Sequence, residues 1–472
     1  MDEKNSLSPN SVQLIIYPDS VGNNLKELKQ FLDAINSSIT SIHLLPPYKS
    51  FSDRGFSPIS HKILDEKFGN WRDFKRISSK YDVCVDIVVN HLSSKSKEFQ
   101  DVLKNGSKSK YYNLFIDFDS LGIISKKDME LIPVRKKENP YIQVQINDEE
   151  KKFWCSFTDD QIDLNYNSQI TYDCIEDSIK FLAQKGVKLF RLDALGYTTK
   201  KIGTRCFLNE PEFYSILEWY YKTSKKYDTL ILPEVHDHPS FQRAISKQGA
   251  YSYAFALPPL VLYSLLYKNF NYLKNYIRDI PTPIVTVLDT HDGICIPDVE
   301  GYLPEKELNT LITNIQKKGT KSIKRKRIKK TQIDSVGGIY QLNCTFYDAL
   351  NKDDFLYYCA RAIQIFSPGI PQIYYNGLLI GENDFKRVDK LKDPREINRT
   401  QYTLKQGIKK LQSPLVEKLL KLMQLRKTHP SFKGECHLIT TGHSYQFKIS
   451  WEYKEFTSTL FIDLKENIIK IE

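Results

Sequence analysis

Arg191 and Asp193 stand one residue apart near the end of the run Gly186-Val-Lys-Leu-Phe-Arg-Leu-Asp-Ala194. In an extended strand, residues two apart point to the same side, so these opposite charges face each other. A buried carboxylate is costly unless a cation or hydrogen bonds compensate it, and Arg191 is expected to keep Asp193 ionised. The same pair also reads as a structural ion pair. Other strand-like runs also end in ionisable groups: VCVDIVVNH in His91, TLILPEV in Glu234 beside its last residue, and PIVTVLDTHD in His291 and Asp292. Acidic groups converging on one pocket need their pKa values split, one acting as nucleophile and another as proton donor. Carbohydrate chemistry uses such an arrangement.

These groups need a scaffold that brings strand ends together. Strand-like runs occur at 12–17, 41–47, 83–91, 186–193, 229–235, 251–258, 283–292 and 370–375. Helical patterns lie between several of them, as at 24–37 (Leu25, Leu28, Leu32, Ile35), 71–80, 172–184, 212–222 and 354–366. Eight strands alternating with helices predict a (β/α)8 TIM barrel of the α/β class, whose catalytic groups sit at strand C-termini. Barrel segments are expected at 1–91, 169–292 and 346–425. Polar segments at 92–168 and 293–345 read as inserted subdomains, and 426–472 as a small C-terminal β domain.

Composition narrows the classes. The chain of 472 residues is 41% hydrophobic and 26% charged, a globular balance. No apolar run reaches membrane-spanning length and no secretory leader is visible, so a cytoplasmic protein without membrane contact is expected. The eight cysteines are scattered without a C-x-x-C pair and read as reduced thiols. The net charge of +11 rests largely on residues 317–330, which hold nine Lys or Arg and no acid. The rest is nearly balanced, so no nucleic-acid partner is expected. The run reads as a solvated loop or as a rim that attracts anions.

Longer motifs carry a resemblance. DIVVNH (86–91), FRLDALGYTTKKIGTRCF (190–207), LPEVHDH (232–238) and VLDTHDG (287–293) are similar to the four ordered motifs of the α-amylase superfamily. With YQLNCTFYDAL (340–350), PGIPQIYYNGLL (368–379) and REINR (395–399), they resemble sucrose phosphorylase and its near relatives, including the sucrose 6′-phosphate type. The resemblance implies a transferase that phosphorolyses an α-glucoside with retention, giving α-glucose 1-phosphate. Asp193 is then the nucleophile, Glu234 the acid and base, and Asp292 the third carboxylate. In such a double displacement the two principal carboxyls stand about 5–5.5 Å apart. Asp53, His91, Arg191, His291 and Arg399 match positions around the glucosyl unit, Phe56 an aromatic that shields it, and His236 a position near the leaving sugar. Arg135, Tyr340 and Gln341 match the phosphate and acceptor loops. No cofactor and no metal are implied; phosphate is the co-substrate. A homodimer is left open.

The chain departs from the family at 335–339, Ser-Val-Gly-Gly-Ile, where an acid usually precedes the Tyr-Gln pair. Glycines widen the accessible backbone conformations there, and losing the acid beside a basic run favours an anionic sugar. Sucrose, sucrose 6′-phosphate and other α-glucosides therefore remain as donors. A hydrolase or transglucosidase, and a non-catalytic amylase-like binding protein, are the other readings. The intact set Asp193, Glu234 and Asp292 argues against the last.

Overall fold

The computed structural model describes residues 6–134, 139–324 and 339–472. The chain divides into two compact units, residues 1–43 with 236–472, and residues 44–235. Eight strands carry the main sheet: β1 (Gln13–Ile16), β2 (Ser41–Leu44), β3 (Asp82–Val88), β4 (Val187–Asp193), β5 (Leu230–Pro233), β6 (Ser252–Ala254), β7 (Ile284–Thr286) and β8 (Ile370–Tyr374).

In the first unit the strand order is β6-β7-β8-β1-β2. The pairs β6–β7, β7–β8 and β8–β1 are parallel, with Gln13 opposite Gln372 and Val285 opposite Ile370. These strands are buried throughout, as expected for parallel strands covered on both faces. The helix Leu25–Ala34 follows β1 because Leu25, Leu28, Phe31 and Leu32 form one buried stripe, and Asn24 caps it by accepting from the Lys26 and Glu27 amides. Past the helix Pro414–Thr428, four antiparallel strands, β9 (Glu435–Leu438), β10 (Gln446–Tyr453), β11 (Phe456–Asp463) and β12 (Ile468–Ile471), form a C-terminal sheet.

The second unit holds β3-β4-β5, also parallel. The register places Asp86 opposite Arg191 and Val88 opposite Asp193. The helix Trp71–Ser78 runs into β3 from a capping box between Asn70 and Asp73. Residues 92–168 contain the hairpin Tyr141–Ile146 with Glu149–Trp154, and a short ladder pairs His91–Ser93 with Gln161–Asp163.

Three boundaries differ from the sequence reading. β3 stops at Val88, so His91 opens the short antiparallel ladder instead of ending a barrel strand. β6 stops at Ala254, and the apolar run passes into the helix Leu257–Leu266, whose first turn accepts prolines. β7 ends at Thr286, which puts Asp289, His291 and Asp292 in the loop after it.

Candidate active site

In the second unit the chemistry is organised by Arg191, whose side chain is only 4% exposed. Its Nη1 donates to Asp86 Oδ1 at 2.5 Å and to Asp193 Oδ1 at 2.7 Å. Its Nη2 lies 2.8 Å from Glu234 Oε1, and the Ala194 amide donates to Glu234 Oε2 at 3.0 Å. One planar cation thus holds Asp193 and Glu234 on two nitrogens, with Asp86 behind. Ala194 adopts the left-handed region at φ 58°, an unfavourable conformation for a residue with a Cβ, at the point where the chain leaves Asp193.

The expectation that Arg191 simply keeps Asp193 ionised needs correction. Burial and the Glu234 charge push the Asp193 carboxyl well above the ordinary carboxylate range, against the pull of Arg191. One guanidinium is shared among three carboxylates and offsets only part of this upward push.

Around this pair, His91 Nε2 lies 2.8 Å from the Phe56 carbonyl oxygen and 2.9 Å from the Gln161 amide nitrogen. Burial lowers the His91 pKa, which favours the neutral ring. The Phe56 ring faces the Arg191 guanidinium at 5.8 Å. Asp53 sits in a tight turn with φ 50° and acts electrostatically on His91.

The first unit holds the other expected groups. Asp292 Oδ1 is 3.5 Å from both Arg395 and Arg399, and its Oδ2 is 3.6 Å from His291 Nε2. Arg399 also donates from Nε to the His291 carbonyl at 2.7 Å and lies 5.8 Å from the Tyr17 ring. Behind this loop the buried pair Arg361–Asp289 closes at 2.6 Å. Gly377 packs directly on it, and a Cβ there would collide with both side chains. His236 stacks on Phe255 with ring centroids 4.0 Å apart and meets Tyr340 edge-on at 6.1 Å. Tyr340 and Gln341 are both buried, and Arg135 lies outside the described residues. A pocket within this unit is lined by Asp292, His236, Phe255, Cys295 and Asn398, among others.

Several partners escaped the sequence reading. Asp86, Gln161, Arg395 and Glu396 all hold expected site residues, and each is distant in sequence or embedded in a motif as a spacer. Asp86 was the most legible, being a charge inside an otherwise apolar strand.

Comparison with known proteins places these groups in a family. The α-amylase catalytic domain matches residues 20–269. A glucosylglycerol phosphorylase from Marinobacter adhaerens is 49% identical, over 98% of this chain and 97% of that protein. The chain belongs to the sucrose phosphorylase group of the α-amylase superfamily. A sucrose 6(F)-phosphate phosphorylase from Thermoanaerobacterium thermosaccharolyticum is 40% identical over 97% of this chain and 95% of its own length. The crystal structure of a sucrose 6F-phosphate phosphorylase from Thermoanaerobacter thermosaccharolyticum matches with a TM-score of 0.96 at 39% identity, covering 100% of this chain and 97% of that one. The expected fold class holds: the eight strands are those of a (β/α)8 barrel of this group, with a small C-terminal β-sheet domain.

Proposed function

We propose that the chain is a retaining phosphorylase of a small α-glucoside, with glucosylglycerol the leading donor. One observation supports the reaction type most strongly: a single guanidinium clamps Asp193 and Glu234 side by side, 2.7 Å and 2.8 Å from its two nitrogens. A double displacement needs such a close pair, one carboxylate to attack and one carboxylic acid to donate. The choice of donor rests on the 49% identical glucosylglycerol phosphorylase.

In this reading Asp193 attacks the anomeric carbon as Glu234 protonates the departing glycerol oxygen, leaving a β-glucosyl ester on Asp193. Phosphate then attacks the ester while Glu234 takes its proton, and α-glucose 1-phosphate leaves. Asp292 grips the ring hydroxyls and stabilises charge at the anomeric centre. Asp53, His91, His291 and Arg399 hold the glucosyl unit under Phe56, and Arg191 aligns the carboxyl pair. His236, Tyr340, Gln341 and Arg135 serve the aglycone and phosphate. Phosphate is the only co-substrate and no cofactor or metal takes part. The free thiols suit a reducing cytoplasm. Among the described residues no helix is long and apolar enough to cross a membrane.

A second donor, sucrose 6′-phosphate, is favoured by the basic run at 317–330 and by the 40% identical relative. The deciding assay measures α-glucose 1-phosphate from glucosylglycerol, sucrose and sucrose 6′-phosphate, each with and without phosphate. The highest kcat/KM on glucosylglycerol is expected. A preference for sucrose 6′-phosphate would install the second donor, and free glucose regardless of phosphate would replace the phosphorylase by a hydrolase. Asp193→Asn should lower kcat by about 10⁴-fold or more while the chain stays folded; near-normal turnover would remove Asp193 as nucleophile.

A further inference from the structure

Sulfur has no task in the proposed reaction, yet one thiol is built into a polar array on the pocket of the first unit. Cys295 sits in a short strand paired with the segment that carries Tyr340 and Gln341, directly opposite Gln341. Its Sγ lies 3.8 Å from His236 Nε2 and accepts from the Gln341 amide at 3.4 Å. On the far side of the ring, His236 Nδ1 is 2.9 Å from Asp298 Oδ2. The stack on Phe255 fixes the plane of the imidazole. His236, Cys295 and Asp298 each offer a donor atom within 4.8 Å of the others.

We propose that Cys295 and His236, with Asp298 behind the imidazole, form a site for a thiophilic divalent cation, best matched by zinc, whose binding blocks the aglycone side of the pocket. Bonds of about 2.3 Å to sulfur and about 2.0–2.1 Å to nitrogen, at a tetrahedral angle, put the two donors about 3.5 Å apart. The observed 3.8 Å needs only a slight closure. Asp298 accepts the Nδ1 proton and so directs the metal to Nε2, the carboxylate–histidine–metal arrangement. Rotating the Gln341 amide presents its carbonyl oxygen as a third donor, and pocket water completes the shell. Binding displaces the Cys295 thiol proton and the proton that the neighbouring groups favour on the His236 ring, both to solvent, and leaves a thiolate and a neutral imidazole as donors. Magnesium and calcium prefer oxygen donors and are excluded by the sulfur and nitrogen. Metal binding stands independently of the phosphorylase reading, whereas the block rests on His236 serving the aglycone.

Cobalt(II) added to the full chain is the direct probe. One equivalent should produce a near-ultraviolet thiolate-to-cobalt band that zinc abolishes. Cys295→Ser should lose the band, and Cys344→Ser, a thiol on the same pocket, should keep it. Zinc should inhibit phosphorolysis and a chelator restore it, while magnesium leaves the rate unchanged. Relative to its own metal-free rate, Cys295→Ser should need about tenfold more zinc for the same inhibition. If Cys295→Ser fails to fold, His236→Gln must weaken cobalt binding by a similar factor. No band, or a band unchanged in both variants, overturns the site. A band without zinc inhibition overturns the block, and a reaction yielding glucose but still zinc-sensitive through Cys295 overturns only the phosphorylase reading.

Discussion

Arg191 neutralises one charge among three carboxylates, so burial first and the neighbouring Glu234 charge second raise the Asp193 pKa. The native chain therefore holds a proton more tightly than the unfolded chain. Stability falls as pH rises from the ordinary carboxylate range through the raised value, because over that window the folded state binds more protons. Asp193→Asn removes the penalty, so the variant should melt higher than the wild type at neutral pH even as turnover collapses. The gain is of the order of 1 kcal/mol for each unit of upward shift. It should shrink on acidification, as Asp193 becomes protonated in the wild type. Melting curves across pH check this; an equal or lower melting temperature at neutral pH would mean that Arg191 compensates all three carboxylates. Arg191→Lys keeps the charge but loses the planar fork, and should depress kcat far more than it depresses stability.

At the scale of elements, Lys200 works as an internal cation. Its side chain is 6% exposed, and Nζ reaches Asp163 at 2.7 Å, Asn90 at 2.9 Å, Ser156 at 3.3 Å and the Tyr197 carbonyl. Four segments of the second unit are thereby tied together: the stretch just after β3 at Asn90, the hairpin exit at Ser156, the short ladder at Asp163 and the turn after β4 at Tyr197. Lys200→Met leaves the fully buried Asp163 carboxylate without its cation and should cost about 3–5 kcal/mol by denaturant unfolding. The donor KM should rise as well, since Asn90 precedes His91 and contacts its ring at 3.3 Å. A change below about 1 kcal/mol would show that the hydroxyls and amides around Asp163 suffice without the ammonium.

This knot also marks the limit of what the sequence could reveal. Apolar runs and helical spacing located all eight strands and most of the helices between them, since those signals are local. The partner of Lys200 is set by which loops meet in space. The helix Leu257–Leu266 was missed for a different reason: nine of its ten residues are buried, so no polar face marks a helical period. Asp193, Glu234 and Asp292 were legible because each interrupts or ends an apolar run. Asp86 was visible as a charge, but its bond to Arg191 depends on the β3–β4 register.

For the molecule as a whole, the decisive asymmetry is charge. Nine of the net eleven positive charges fall within residues 317–330. In the proposed reaction one co-substrate, phosphate, is an anion, while glucosylglycerol is neutral, so a concentrated positive field should act on the two differently. Replacing five or six of these lysines and arginines by glutamine should raise the KM for phosphate at low ionic strength and leave that for glucosylglycerol unchanged. The difference should fade as salt rises, because exposed charges are screened beyond about 10 Å at 0.1 M. A melting temperature equal to that of the wild type would assign the effect to the field. If both KM values move together, or the phosphate effect survives high salt, the run acts through contacts and not through long-range attraction. If neither moves, the run plays no part in phosphate capture, and sucrose 6′-phosphate loses its main physical support.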